Sequence, residues 1–509
     1  MRRPANVSPA AADRSTVGTM ATSTDEYDVI VIGGGPAGEN AAAYAIAGSD
    51  RSAAIIEHEL LGGECSYWAC MPSKALLRPA EVLGAARAMP GVRETIGEAT
   101  LDRRAVFARR DEFTSHHDDS GQRKWAASVG VDVIHGSAAL TGERTVELST
   151  GGHGDPPTRT LRARHAVVLA TGTLASIPPV PGLREALPWI SRDATNLREV
   201  PERVAIIGGG VVATECATWL LALGVRELTV IVRGSALLAS AEPFAGDLVA
   251  ESLRASGASV LFGTSPGAVR REQPRDTGVG RIHGGQVTIT LDGRERGEIT
   301  VDEVIVAAGR HPATSGLGLA SVGLTDGRTP TDDHLAVVGV PGGWLYAVGD
   351  VNGRAALTHM GKYQGRVCGD VISARAEGRA LDGARFTASA DHAQVPQVVF
   401  TSPEVASVGR TERAARADGI DVETVEVDIA VAGSSLARDD FAGRAKLVID
   451  RGTDILVGAT FVGTEVAELV HAATVAVVGA VPMESLWHAV PSYPTVSEVW
   501  LRLLEARRG

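Results

Sequence analysis

Two glycine signatures, far apart in one chain, limit what it can fold into. Residues 27–40 read YDVIVIGGGPAGEN: an apolar run of strand length, then Gly33, Gly35 and Gly38 in G-x-G-x-x-G spacing, then an alanine-rich stretch. Glycines at those positions permit a tight turn, close approach of backbone to a pyrophosphate, and helix packing on a strand; the helix N-terminus then faces the phosphates. The next strand-like run, AAIIE, ends at Glu57, an acid placed to accept hydrogen bonds from ribose hydroxyls. The spacing alone is weak evidence. Strand, glycines, helix, strand and acid in that order read as a nucleotide-binding unit.

The order recurs. RVAII at 203–207 precedes Gly208, Gly210 and Ala213 in G-x-G-x-x-A spacing, and a helix-like segment follows. The next strand, LTVIV, ends at Arg233 with no carboxylate. A guanidinium there suits a 2′-phosphate, so NADPH is expected over NADH; a solvated charge after a strand is the duller alternative. Two units imply two nucleotides. One flavin and one nicotinamide is the economical assignment, because hydride must pass from one carrier to another.

At 509 residues the chain is too long for one core, so several domains are expected. Its formal net charge of −12 argues against a protein built to grip nucleic acid. No run of about 18 uncharged apolar residues occurs, so no membrane partner and a cytoplasmic location are expected. Residues 1–26 have no apolar core of a secretory signal and read as a disordered leader, with Met20 an alternative to Met1 as start. Only four cysteines are present, and any disulfide among them is expected to be catalytic rather than structural.

Two of the four lie between the fingerprints, in LGGECSYWACMPSKALLRPAEVL at 61–83. Cys65 and Cys70 follow a glycine pair and stand at the start of an apparent helix. A helix N-terminus stabilises a thiolate, which attacks disulfides and donates charge to an oxidised flavin. Cys216 and Cys368 sit in helical surroundings and read as small buried hydrophobes. No metal site is read.

GGECSYWACMPSK resembles the G-G-x-C-x4-C-x-P-[ST]-K signature of the pyridine nucleotide–disulfide oxidoreductases, which include dihydrolipoamide dehydrogenase, glutathione reductase, mycothione reductase and mercuric reductase. Further segments resemble that family in its order: ATG at 170–172, AAGRHP at 307–312, LYAVGDV at 345–351, LTHMGKYQG from Leu357, and VVFTSPEVASVGRTE at 398–412. The resemblance implies that Cys65 is the interchange thiol and Cys70 the flavin-side thiol, with Lys74 and Glu215 paired beside the flavin N5. It places Gly33, Gly35, Gly38, Glu57, Lys74, Ala138, Thr171, Gly172, Asp350 and Thr358 at FAD, Asp350 holding the ribityl chain. It places Gly208, Gly210, Ala213, Arg233 and Gly309 at NAD(P).

The pattern breaks near the C-terminus. The family's disulfide reductases carry a motif like H-P-T-x-S-E, in which histidine is the acid/base and glutamate orients it. Here SYPTVSE at 492–498 keeps Glu498 but has Tyr493 where histidine should stand. A phenol with an ordinary pKa of about 10 is a poor base near neutral pH, and His488, five residues away, is the alternative. Mercuric reductases share that tyrosine but also carry C-terminal cysteines, which this chain lacks, so mercury reduction is disfavoured. Tyr67 and Trp68, between the two cysteines, are bulky enough to narrow the route to a large disulfide or to stack on a flat substrate.

The expected fold is α/β: two Rossmann-like dinucleotide-binding domains, for FAD and NAD(P), plus a C-terminal α+β dimerisation domain. The expected boundaries are 1–26 leader, 27–175 FAD-binding, 176–310 NAD(P)-binding, 311–390 FAD-binding return, and 391–509 interface. Family likeness implies a homodimer in which Tyr493 and Glu498 complete the partner's site. The expected activity is transfer of hydride electrons from NAD(P)H through FAD to Cys65–Cys70, and on to a disulfide-type small-molecule acceptor. The alternatives are an NADPH-dependent quinone or small-acceptor reductase needing no histidine, and a non-catalytic flavin/disulfide redox sensor.

Overall fold

The computed structural model describes residues 25–150 and 159–509. Residues 1–24 of the expected leader lie outside the described residues; Asp25 is described, and Glu26 already opens the first strand, Glu26–Ile32.

That strand is central to a seven-stranded sheet. Its residues from Val29 to Val31 are fully buried, as a continuous apolar run requires when both faces of a parallel strand are covered. On one side it pairs in parallel with Ala53–Glu57, which pairs in turn with Val131–His135; on the other it pairs with Arg159–Leu169. The long strand Arg159–Leu169 takes an antiparallel hairpin, Ser137–Gly142 and Thr145–Ser149, at its beginning. At its end it takes the parallel strand Leu345–Ala347, contributed from much later in the chain.

The helix Pro36–Ile46, the fingerprint helix, starts with proline in its first turn, where the missing N–H is not needed. It crosses the helix Thr358–Ala376, the return helix, at close range. A Cβ on Gly365 would lie 2.4 Å from the Ala37 carbonyl oxygen, and one on Gly369 would lie 2.5 Å from the Tyr44 Cβ. Glycine at these two positions is what lets the helices touch.

A second parallel sheet runs in the order Ala258–Phe262, Glu227–Val232, Arg203–Ile207, Glu303–Val306. The second fingerprint helix, Val211–Ala222, packs on it. A three-stranded antiparallel sheet, Thr264–Arg271, Val287–Gly293 and Gly297–Val301, is attached beside it. The chain enters and leaves this region through one short ribbon, Thr173–Ala175 paired with Arg310–Pro312. A five-stranded antiparallel sheet, ordered 396–399, 404–409, 455–463, 444–450 and 422–428, closes the molecule with the helices Leu469–Val478 and Val499–Arg508. The fold is therefore mixed α/β, with two parallel nucleotide-type units and a C-terminal α+β unit, as expected.

Candidate active site

The thiol segment is pinned to the first fingerprint. The Gly62 amide donates to the Gly34 carbonyl at 2.8 Å, and a Cβ on Gly63 would stand 2.7 Å from the Gly35 Cα. Gly62 and Gly63 both have positive φ, 111° and 60°, which a side chain would strain. The two cysteines do not share one helix start, as the sequence suggested. Cys65 lies in a short helix, Gly63–Tyr67; Cys70 is the first residue of the long helix Cys70–Arg87. The break at Trp68 and Ala69 lets both thiols face one another.

The two thiols are inequivalent. The Cys70 sulfur lies 3.2 Å from the Thr358 hydroxyl, at the first turn of the return helix. A hydrogen bond from Cys65 lowers the Cys70 thiol to about 6, with Thr358 and the Lys74 ammonium adding to it against the effect of burial. Cys65 is pushed up, by the hydrogen bond it gives to Cys70 and by burial. The two sulfurs are thus driven in opposite directions, Cys70 towards the thiolate and Cys65 towards the thiol.

One turn into the same helix, Lys74 meets Glu215 of the second fingerprint helix. The ammonium donates to both carboxylate oxygens, at 2.8 and 3.0 Å. Phe400 closes this pair from the C-terminal unit: its amide donates to Glu215 at 2.9 Å, and its ring lies 4.9 Å from the Lys74 nitrogen. Lys74 and Glu215 thus join the thiol helix to the second nucleotide unit.

Of the residues expected at FAD, Thr358 touches Cys70 and Lys74 lies one turn beyond Cys70, while the others lie on strands of the first sheet or in the segments that directly follow them. Gly33 and Gly38 are packed against backbone, since Cβ atoms there would lie 2.4 Å from the Ala170 oxygen and 2.1 Å from the Gly33 oxygen. Gly35 and Gly172, in contrast, border open space. Glu57 is buried at its strand end, where burial raises its pKa. Its contact with His58 and the amides of Gly34 and Glu59 hold the carboxyl below its ordinary value. The Gly136 amide donates to the Glu57 carbonyl, which brings the strand containing Ala138 alongside. Asp350 accepts from the Thr173 hydroxyl at 2.8 Å. The Thr171 hydroxyl is buried without a partner, an orphan that a bound cofactor would satisfy.

In the second unit, Gly208 has φ 138° and packs on the Ala307 carbonyl, Ala213 is buried, and Gly210 borders open space. Arg233 directly follows the strand Glu227–Val232, is exposed, and makes no hydrogen bond or ion pair among the described residues. Gly309, with φ 117°, stands where the chain returns to the ribbon.

The C-terminal residues do not join this cluster within one chain. Tyr493 is 76% exposed. Glu498 is buried, one oxygen held by Arg502 at 3.0 Å and the other without a partner. His488 is exposed at the end of the helix Met483–Trp487 and has no bond to Glu498.

Tyr67 corrects the sequence reading. It is 2% exposed and its hydroxyl donates to the Leu61 carbonyl, so it fills the base of the thiol loop and cannot stack on a substrate. Trp68 is engaged too: its ring centroid lies 4.4 Å from that of His117, and Arg192 covers it at 4.9 Å. Arg192 also binds Glu59 at 3.0 Å and Glu64 at 2.6 Å, clamping the loop from outside. The sequence reading missed Arg192, Thr173 and Phe400. Only Phe400 had a local signal, in the VVFTSPEV segment.

Comparison with known proteins agrees with this arrangement. The profile of pyridine nucleotide-disulphide oxidoreductases matches residues 27–365, and the profile of that family's dimerisation domain matches residues 395–504. A mercuric reductase of Streptomyces lividans is 31% identical over 479 residues, covering 93% of this chain and 94% of that protein. A dihydrolipoyl dehydrogenase of Chlamydia muridarum is 29% identical, covering 94% and 96%. The fold is shared with the HOCl-induced flavoprotein disulfide reductase RclA of Escherichia coli, solved as a Cu(II) complex, at a TM-score of 0.77 and 23% identity, covering 94% of this chain and 99% of that one. The family uses FAD and NAD(P)H, and the open glycines, the orphaned Thr171 hydroxyl and the strand-end Glu57 fit FAD. With its thiol pair set between two nucleotide units and a matching C-terminal unit, this chain belongs to the pyridine nucleotide-disulphide oxidoreductase family.

Proposed function

We propose that the protein is an NADPH-dependent disulfide reductase in which Cys65 and Cys70 carry electrons from the flavin to a small disulfide-type acceptor. The observation that carries this is the inequivalent thiol pair: Cys70, 3.2 Å from the Thr358 hydroxyl and drawn towards the thiolate, and Cys65, pushed towards the thiol. FAD, when bound, accepts hydride from the nicotinamide and passes an electron pair to the cysteines. Thr358 and the Lys74 ammonium favour a charged Cys70, while Glu215, which holds Lys74, works against it. Cys65 attacks the acceptor, and Cys70 then attacks Cys65 to release the second thiol. Arg233, exposed and unpaired among the described residues, receives the 2′-phosphate.

Tyr493 and Glu498 serve the partner's site in a homodimer. Supporting this, Val475, Val478 and Val490 are exposed on the same C-terminal unit as Tyr493, by 56%, 53% and 84%. The exposed phenol, with Glu498 tied to Arg502, favours one second reading: direct reduction of a quinone or similar acceptor that needs no imidazole.

Cys65→Ser separates the two. The variant should keep its flavin and lose NADPH-driven disulfide reduction. Disulfide turnover at the wild-type rate would reject the thiol relay, and retained quinone turnover with no disulfide turnover in either protein would select the second reading.

A further inference from the structure

The stretch between Cys65 and Cys70 is gripped by a segment built on the second parallel sheet. Trp189 pairs with Ile305 of that sheet, donating to the Val304 carbonyl at 2.9 Å and accepting from the Val306 amide at 2.8 Å. From the short helix that follows, Ser191–Thr195, the Thr195 hydroxyl donates to the Trp68 carbonyl at 2.7 Å. Arg192 of the same helix donates to Glu64 at 2.6 and 2.9 Å and lies 4.9 Å from the centre of the Trp68 ring. Glu64 directly precedes Cys65, and Trp68 stands two residues before Cys70. One guanidinium therefore holds the chain beside both thiols. It is itself anchored by two bonds to Glu59, each of 3.0 Å.

Trp68 has a second partner. The His117 ring lies 4.4 Å from it between centroids. Ser115, His116 and His117 all have positive φ, 49°, 52° and 61°. Three successive residues with side chains in that region are unfavourable and persist only where their surroundings demand it. The imidazole at the end of this run rests on the one tryptophan that Arg192 also covers.

We propose that Arg192, Trp68 and His117 are positioning residues that hold the two thiols ready to close, and thereby set how readily the pair gives up its electrons. The inference rests on the reading of Cys65 and Cys70 as an electron carrier. When the pair is oxidised, two thiols lose two electrons and two protons and one S–S bond forms. A loose link between the cysteines would have to be ordered at that moment, which disfavours closure. Here the link is already ordered before the bond forms, by contacts at Glu64, at the Trp68 carbonyl and at the Trp68 ring. Such preorganisation raises the effective concentration of one thiol at the other and moves the equilibrium towards the disulfide. The helix that supplies most of these contacts is fastened to the nicotinamide unit, so that unit steadies the thiols it serves.

The test equilibrates the flavin-loaded protein anaerobically with mixtures of reduced and oxidised dithiothreitol, then counts the oxidised fraction of the pair by thiol alkylation and mass spectrometry. In this exchange the two protein thiols become a disulfide as the cyclic disulfide of the reagent becomes a dithiol. Arg192→Met and Trp68→Ala should each lower the equilibrium constant for closing the protein disulfide about tenfold, a potential about 30 mV higher. His117→Ala should lower it by less. Trp68→Phe, which keeps a ring for Arg192 and His117, should recover most of the wild-type value; Arg192→Lys, which keeps the charge without the planar fork, should not. Flavin content and denaturant midpoints show that each variant is folded. A role in stability alone would lower the midpoints and leave the equilibrium with dithiothreitol where it was. An unchanged constant in both Arg192→Met and Trp68→Ala, or a shift towards the disulfide, would overturn the proposal. The expected shifts in a protein that turns over no disulfide would instead retire the functional reading and leave the positioning role standing.

Discussion

Lys74 and Glu215 lie 141 residues apart in the chain, yet form a two-pronged ion pair at 2.8 and 3.0 Å. The pair ties the helix that begins with Cys70 to the helix that follows the second set of fingerprint glycines. It thereby fixes the thiols relative to the nicotinamide unit. Glu215 is 4% exposed, and its remaining contact, the Phe400 amide, draws the C-terminal unit to the same point.

Removing one partner strands the other. Glu215→Gln should destabilise the protein by about 2 kcal/mol, less than a fully buried pair loses, because the Lys74 side chain keeps 35% of its exposure. Lys74→Met combined with Glu215→Leu should recover most of that stability while leaving NADPH-driven thiol formation slow. Denaturant midpoints and anaerobic stopped-flow measurements would check the two effects separately.

The Cys70 thiolate sets a pH boundary. Its folded-state pKa is lowered to about 6, so the thiolate persists above that value and is lost as pH falls through it. Ultraviolet thiolate absorbance of the reduced protein should follow this titration. Cys65→Ala, which removes the largest stabilising contact, should move the midpoint upward, and Thr358→Val should move it in the same direction by less.

Arg233 should decide between nicotinamides. Arg233→Ala should raise the KM for NADPH about tenfold or more, the scale of a lost charge-assisted hydrogen bond of about 1.5–3 kcal/mol, while leaving NADH little affected. Equal effects on both cofactors would remove Arg233 from the 2′-phosphate.

What could be read from the sequence was what is local along the chain. Gly33, Gly35, Gly38 and Glu57 declared the first nucleotide unit because strand, turn and helix follow one another within a few residues. Cys65, Cys70 and Lys74 were legible for the same reason. Contacts between distant segments were not. Nothing near Thr173 announces Asp350, and nothing near Arg192 announces Glu59, Glu64 and Trp68. Tyr67 was misread because its position between two cysteines says nothing of which way the ring points; its hydroxyl found the Leu61 carbonyl and turned it into the core. The break between two helices at Trp68 was hidden in a stretch whose residues all tolerate helix.

The central claim is that electrons from the nicotinamide come to rest on the Cys65–Cys70 pair. Anaerobic reduction of the purified flavoprotein with NADPH, with flavin spectra recorded and free thiols counted, tests it most directly. The account predicts a long-wavelength band from a thiolate against the flavin and two new thiols per chain, both lost in Cys70→Ser. Bleaching of the flavin with no new thiols would contradict it.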